Sequence, residues 1–343
     1  MTRSIGTFCL IACMVGLVVS VPALAQDSAS GWSAPRTADG HPDLQGVWAN
    51  NNATPLERPE ILGDREHLTA EELTSLQSRA GELFAQDSGD AAFGDSVFAA
   101  ALAEAEKFTS RDSGTGNYNH FWLVERDWDT RTSLIIDPPN GRIPARTTEG
   151  QTRVDDRRSR RAIHARWTDD RSLGERCVSF GAPRLGAGYN SYYQIFQTDT
   201  HVVMLMEMAH AARIIPLNGG PHIGSDIRQW LGDSRGHWEG ETLVVETKNY
   251  SRKSYFQGAA ENLEITERFT RVAPDVLEYE VTVNDPSTWT KPWSAMIPLR
   301  QSEDAVFEYA CHEGNIGMEG ILSGARALEK AEAEGEAQSQ NSR

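Results

Sequence analysis

The stretch that most constrains this chain runs Asp226-Ile-Arg-Gln-Trp-Leu-Gly-Asp-Ser-Arg-Gly-His-Trp-Glu-Gly-Glu-Thr-Leu-Val-Val245. Gly232, Asp233, Ser234 and Gly236 are turn formers, able to supply positive φ or side-chain-to-backbone bonds. Ile227 and Trp230 precede them, and Leu243 and Val245 alternate with Thr242, Val244 and Glu246 after them. That pattern predicts strand, turn, strand. More extended runs follow: Leu263 to Val272, Val276 to Asn284, Trp293 to Arg300 and Ala305 to Cys311. Pro274-Asp275, Asp285-Pro286 and Ser302-Glu303-Asp304 supply the breaks. Short strands with regular turns predict a mainly β, antiparallel barrel or sandwich.

Upstream, Tyr192 to Phe196 reads as a strand, Asp199 to His201 as a turn, and Val202 to Ile215 as one long strand. Val203 and Leu205 lie on one face of that strand, Met204, Met206 and Met208 on the other. A strand apolar on both faces needs covering twice. The expected second cover is a pair of early helices inserted at about 69–107. Thr69 and Glu72 form a capping box, and Leu73, Leu76, Ala80, Leu83 and Phe84 recur at helical spacing. Phe93, Val97, Phe98, Ala101 and Leu102 give a second helix over Ala91 to Lys107. Thr132 to Ile136 is strand-like, and Pro138 to Gly141 is a turn. Thr147 to Ile163 groups Arg157, Arg158, Arg160 and Arg161. It reads either as a solvated helix or as a guanidinium cluster for an anionic substrate. Residues 26–323 are expected to form a single domain, and 324–343 a frayed tail after a short helix.

The N-terminal segment predicts export. Ile5 to Val21 is apolar after Arg3, and Ala23-Leu24-Ala25 fits a signal-peptide cleavage site. Leu10-Ile11-Ala12-Cys13 is a competing lipoprotein box, set against the apolar run that continues well past Cys13. Cleavage after Ala25 gives a periplasmic or secreted protein with no membrane insertion once the signal is removed. The chain carries 33 Lys+Arg against 49 Asp+Glu, so nothing electrostatic draws it to nucleic acid or anionic lipid. Cys177 and Cys311 remain after cleavage; in an exported chain they form either a disulfide or two buried thiols.

Arg213-Ile-Ile-Pro-Leu-Asn-Gly219, Pro221-His222, Ile227-Arg-Gln-Trp230, Gly232-Asp-Ser-Arg-Gly236 and Trp238-Glu-Gly-Glu-Thr-Leu-Val-Val245 together resemble a widespread family of secreted bacterial proteins. The resemblance continues through Glu261-Asn-Leu263, Glu267-Arg-Phe-Thr-Arg271, Asp285-Pro286, Trp293 and Tyr309-Ala-Cys-His-Glu-Gly-Asn315. It covers the last half of the chain and brings no reaction with it. Gly46-Val47-Trp48 is similar to the opening of lipocalin-like barrels. The fold expected is therefore a lipocalin-like antiparallel β-barrel with inserted N-terminal helices and a C-terminal helical tail.

Alternation places single polar groups among apolar ones. Glu267 is in phase with Leu263, Ile265 and Phe269; Glu207 and Arg213 with Val203 and Leu205; Tyr279 with Leu277 and Val281; Asn249 with Leu243 and Val245. A buried carboxylate is costly unless it is paired or has a task. Such groups either tie strands together as ion pairs or converge on a ligand cavity. In the catalytic reading, Glu207 or Glu267 is the base and His210 or His312 the acid, with Arg213, Asn249 and Tyr279 polarising the substrate. The aromatics include Trp122, Trp128, Tyr189, Tyr192, Tyr193, Trp230, Trp238, Tyr255, Trp289 and Trp293. A barrel mouth lined by some of them suits an aromatic, steroid-like or sugar ligand; Tyr192, Trp238 and Trp293 are taken as candidate lining residues. Histidine and cysteine spacing offers no metal motif, and no cofactor is expected. Three functions remain: an acid–base lyase, isomerase or hydrolase acting on a small, largely uncharged molecule, a periplasmic carrier of an apolar or aromatic ligand, and a structural protein whose buried charges are braces.

Overall fold

The computed structural model describes residues 32–341 apart from 85–89, 105, 110–122, 163–164, 166, 182 and 260. The signal segment and Trp122 lie outside the described residues. Ten strands build the sheet: β1 Gly46–Ala49, β2 Ile135–Asp137, β3 Tyr192–Gln197, β4 His201–Met206, β5 Ala211–Pro216, β6 Asp233–Glu239, β7 Thr242–Lys248, β8 Glu264–Ala273, β9 Val276–Asn284 and β10 Trp293–Ser302. Nine of them follow the order β5-β4-β3-β1-β10-β9-β8-β7-β6, and β2 adds to β10. Every neighbouring pair is antiparallel. The two ends of the path, β5 and β6, lie against each other, so the sheet is a nearly closed barrel. That is the fold the strand-turn pattern predicts.

Closure at the last seam depends on a glycine. A Cβ on Gly236 would stand 2.8 Å from Leu217 Cδ2 and 2.9 Å from Ile215 Cγ2. Without a side chain there, β6 lies close to the end of β5. The barrel interior is filled by side chains from every wall, among them Trp48, Met204, Leu243, Ile265, Leu277, Val281 and Ile297.

Two turns differ from expectation. The central hairpin does not turn at Gly232 to Gly236: that stretch enters β6, and the reversal falls at Gly240-Glu241, between Glu239 and Thr242. Gly240, at φ 60°, supplies the left-handed residue a two-residue hairpin loop needs. The long strand from Val202 to Ile215 is instead the hairpin β4–β5. Met208–His210 form a single helical turn with Ala209 at φ 59° and His210 at φ 49°, which reverses the chain and shifts the phase. Val202, Met204 and Met206 consequently face inward, and Arg213 pairs in register with Met204 rather than sharing a face with Val203. Phe196 and Ile214 are left exposed on the outer face.

The helices are α1 Ala70–Phe84, α2 Ser96–Leu102, α3 Thr148–Ala162 and α4 Ile316–Asn341. The capping box at the start of α1 is present: Thr69 N–H donates to Glu72 Oε2 at 2.9 Å, and Glu72 N–H to Thr69 Oγ1 at 3.2 Å. The second helix is shorter than expected, because Gly94 takes φ 53° and delays its start. Together α1 and α2 build a separate small core with Leu62, Leu68 and Trp128. Ala305 to Cys311, expected as a strand, has no ladder partner. Where a frayed tail is expected from Gly324, α4 continues to Asn341, as its Ala, Glu and Lys content favours. Among the described residues no helix is long and apolar enough to cross a membrane.

Candidate ligand-binding site

Glu267 sits in the barrel wall with no exposed surface. Arg213 meets it as a two-pronged fork, Nη1 to Oε2 at 2.5 Å and Nη2 to Oε1 at 2.9 Å. Tyr279 donates its hydroxyl to Oε1 at 2.6 Å. Both carboxylate oxygens are thus taken by charged or hydroxyl donors. Burial works against the Arg213 charge, but Glu267 outweighs it and raises the guanidinium above its ordinary range. Burial, reinforced by Glu267, raises the Tyr279 hydroxyl as well. Phe269 stacks on the Tyr279 ring at 4.6 Å. Arg213 belongs to the end strand β5 and Glu267 to β8, third from the opposite end. The pair therefore spans the interior and ties the two sides of the open seam.

The other candidates do not join this group. Glu207 follows β4 in helical backbone and is buried. Its Oε2 has no partner among the described residues. Burial pushes its carboxyl upward, against the lowering effects of the Phe307 backbone, the Asn190 amide and Arg184. His210 and His312 are exposed. Asn249, expected in phase with Leu243 and Val245, lies beyond β7 at φ 58° and donates to the Ile223 carbonyl at 2.9 Å; Thr247 occupies the inward position instead. Trp238, near the β6–β7 turn, stacks on His41 at 4.8 Å. Tyr192 is half-buried at the start of β3, opposite Ala49. His222 pairs with Asp233 at 2.9 Å and His237 with Glu239 at 3.1 Å. Among the described residues no group of three or more His, Cys, Asp or Glu is placed to hold a metal ion.

A cleft opens instead at the end of the barrel where β7 finishes and β10 begins. It encloses about 350 Å³ between α3, the loop 172–181 and the segment 250–263. Trp230, Tyr250, Tyr255, Phe256, Leu173 and Phe180 give it an aromatic and apolar lining. Phe256 stacks on Trp293 at 6.2 Å, and Trp293 meets Trp289 edge-on at 5.8 Å, so the floor continues into the barrel core. Arg157 lies over the Tyr255 ring, 4.0 Å from its centre, a cation–π contact.

Several anchors hold these walls. Cys177 and Cys311 form a disulfide with Cα atoms 5.6 Å apart, which ties the 172–181 loop to the segment leading into α4. Asn315 donates to the Glu175 carbonyl at 3.0 Å. Glu175 in turn takes Arg171 at 2.6 Å and the Ser172 hydroxyl at 2.7 Å. On the opposite side, Arg153 donates to the Gly258 carbonyl at 3.0 Å and to Thr288 Oγ1 at 2.7 Å. A Cβ on Gly150 would meet the Thr288 carbonyl at 2.5 Å; its absence lets α3 lie flat against that loop.

Of the residues singled out from sequence, Trp230 and Tyr255 line the cleft and Trp293 underlies it. Leu173, Phe180 and Phe256 escape sequence reading because they sit on irregular segments without periodicity. Comparison with family models, curated proteins and solved structures finds no match to this chain.

Proposed function

We propose that this chain is an exported binding protein that carries an apolar or aromatic small molecule in the cleft at the end of its barrel. The observation that carries the reading is the contrast in lining. Inside the barrel, both Glu267 oxygens are taken by Arg213 and Tyr279, whereas the cleft presents aromatic faces to solvent, with Trp230 39% and Phe180 38% exposed. A concave, mainly aromatic surface with a few polar groups at its rim is what small-molecule sites are built from. The signal-like N-terminus, the Cys177–Cys311 disulfide and the resemblance to secreted bacterial proteins support export.

The test uses a neutral aromatic probe, N-phenyl-1-naphthylamine, whose fluorescence rises on leaving water. The full chain binds it, and Trp230→Ala weakens binding about tenfold or more without a matching loss of stability. No fluorescence gain with the wild-type chain contradicts the reading. Intact mass of exported protein beginning at Gln26 supports the export half; a diacylated Cys13 contradicts cleavage after Ala25.

Glu207 favours a second reading, general acid–base catalysis of the lyase, isomerase or hydrolase kind. It is a buried carboxyl, raised by that burial and with one oxygen unpartnered; groups of this kind serve as catalytic acids and bases. Mass spectrometry of molecules co-purifying from the periplasm decides between the two. A ligand recovered unchanged after incubation supports the carrier, and a product whose formation stops in Glu207→Gln supports the enzyme.

A further inference from the structure

The aromatic cleft opens directly into a second basin of about 440 Å³, and Arg157, Leu173, Ser254 and Tyr255 line both. The basin's character is different. Three chain segments bring cations to it: Arg153, Arg157 and Arg160 from α3, Arg171 and Arg176 from the disulfide-tied loop, and Arg252 with Lys253 from the segment after β7. They face three lining carboxylates, Asp156, Asp169 and Asp170. This concentration of positive charge stands in a chain of formal charge −16, where chance would favour the opposite sign.

Three carboxylates line the basin against seven cations, most of which pair with acids inside it or at its edge. Asp169 serves two cations at once, Arg176 at 2.9 Å and Lys253 at 3.4 Å. Glu149, Glu175 and Glu261 take Arg153, Arg171 and Arg252 from outside the basin, but each occupies part of a guanidinium that carries five donors. The cation–π contact with Tyr255 holds the Arg157 guanidinium at the boundary of the two lobes. A cationic recess flanked by apolar walls focuses its field on whatever anion enters.

We propose that the ligand is an amphipathic organic anion, its aromatic or alicyclic body in the cleft and its carboxylate, sulfate or phosphate in the basin. This rests on the cleft being the binding site, and it adds the charge of the ligand, which the cleft alone does not specify. The guanidinium run on α3 then has a task that its helical periodicity does not reveal.

The test compares 1-anilinonaphthalene-8-sulfonate with N-phenyl-1-naphthylamine, the same aromatic body with and without a sulfonate, by fluorescence titration of the full chain. The wild-type chain prefers the sulfonate, and the preference shrinks as salt rises. In Arg160→Gln/Lys253→Gln, both solvent-exposed positions, the ratio of the two affinities falls about tenfold or more. Arg158→Gln, the same kind of charge loss at a 78% exposed side chain outside the basin, leaves that ratio within about twofold. An unchanged ratio in the double variant, an equal fall in the Arg158 control, or no preference in the wild type overturns the anion basin while the cleft reading stands. Failure of both dyes to bind overturns the two together.

Discussion

The barrel interior and the cleft at its end treat charge in opposite ways. Inside, one carboxylate meets one guanidinium and one hydroxyl, and all three are buried. At the end, seven cations share a basin with three lining carboxylates and remain open to water. The difference follows from solvent access. A charge removed from water must be matched within the protein or its burial costs several kcal/mol. A charge at the rim of a cleft stays hydrated, so a surplus of one sign can be kept there for something that arrives from outside. Matched charge at the core reads as architecture, and a cation-rich concave surface reads, on our proposal, as recognition.

The largest expected effect breaks the matched side. Arg213→Met strands Glu267 without its cation and lowers stability by about 3–5 kcal/mol, measured by urea unfolding. Adding Glu267→Gln to it restores much of the loss, because no uncompensated charge remains and Gln still accepts from Tyr279. A single variant that loses less than about 1 kcal/mol shows that the pair does not brace the seam.

The disulfide comes next. Cys177→Ser/Cys311→Ser releases a link across 134 residues and costs about 2–4 kcal/mol. The same change loosens the 172–181 wall, so affinity for the neutral naphthylamine probe falls too. Stability lost with affinity unchanged places that wall outside the site.

Glu207 gives the smallest effect, and its sign is opposite. Burial raises its carboxyl, so the folded chain keeps that proton to higher pH than the unfolded chain does. Between the unfolded and the raised folded value the native state binds more protons, and stability falls as pH rises through that interval. Glu207→Gln removes this decline and stabilises the neutral-pH protein by about 1 kcal/mol, since the buried charge is gone. Parallel stability–pH curves for the two proteins contradict it.

Much of the interior was legible in the sequence because strand alternation is a local rule. Leu263, Ile265, Glu267 and Phe269 share a face by counting, and Tyr279 falls between Leu277 and Val281 by the same count. The partnership with Arg213 was not legible in this way. Positive φ at Ala209 and His210 resets the phase between Met206 and Arg213, and nothing in a two-residue period announces it. Asn249 was misplaced for a similar reason, since β7 ends one residue earlier. The cleft was the least legible part. Trp230 and Tyr255 are visible as aromatics and Arg157 as part of a basic run, but their convergence depends on three segments distant in the chain. Two of those segments have no periodicity, and the Cys177–Cys311 link, close packing at Gly150 and Gly258 and contacts such as Arg153 to Gly258 and Lys253 to Asp169 hold them in place.

The central claim is that the interior is a brace and the cleft is the site. An amide and indole NMR titration of the isotope-labelled full chain with N-phenyl-1-naphthylamine tests it most directly. The account predicts shifts concentrated at the Trp230 indole and at amides of 172–181 and 250–259, with Glu267, Tyr279 and Met204 unmoved. Shifts led by Glu267, Tyr279 and Met204, with Trp230 and the two loops silent, would place the ligand inside the barrel and contradict it.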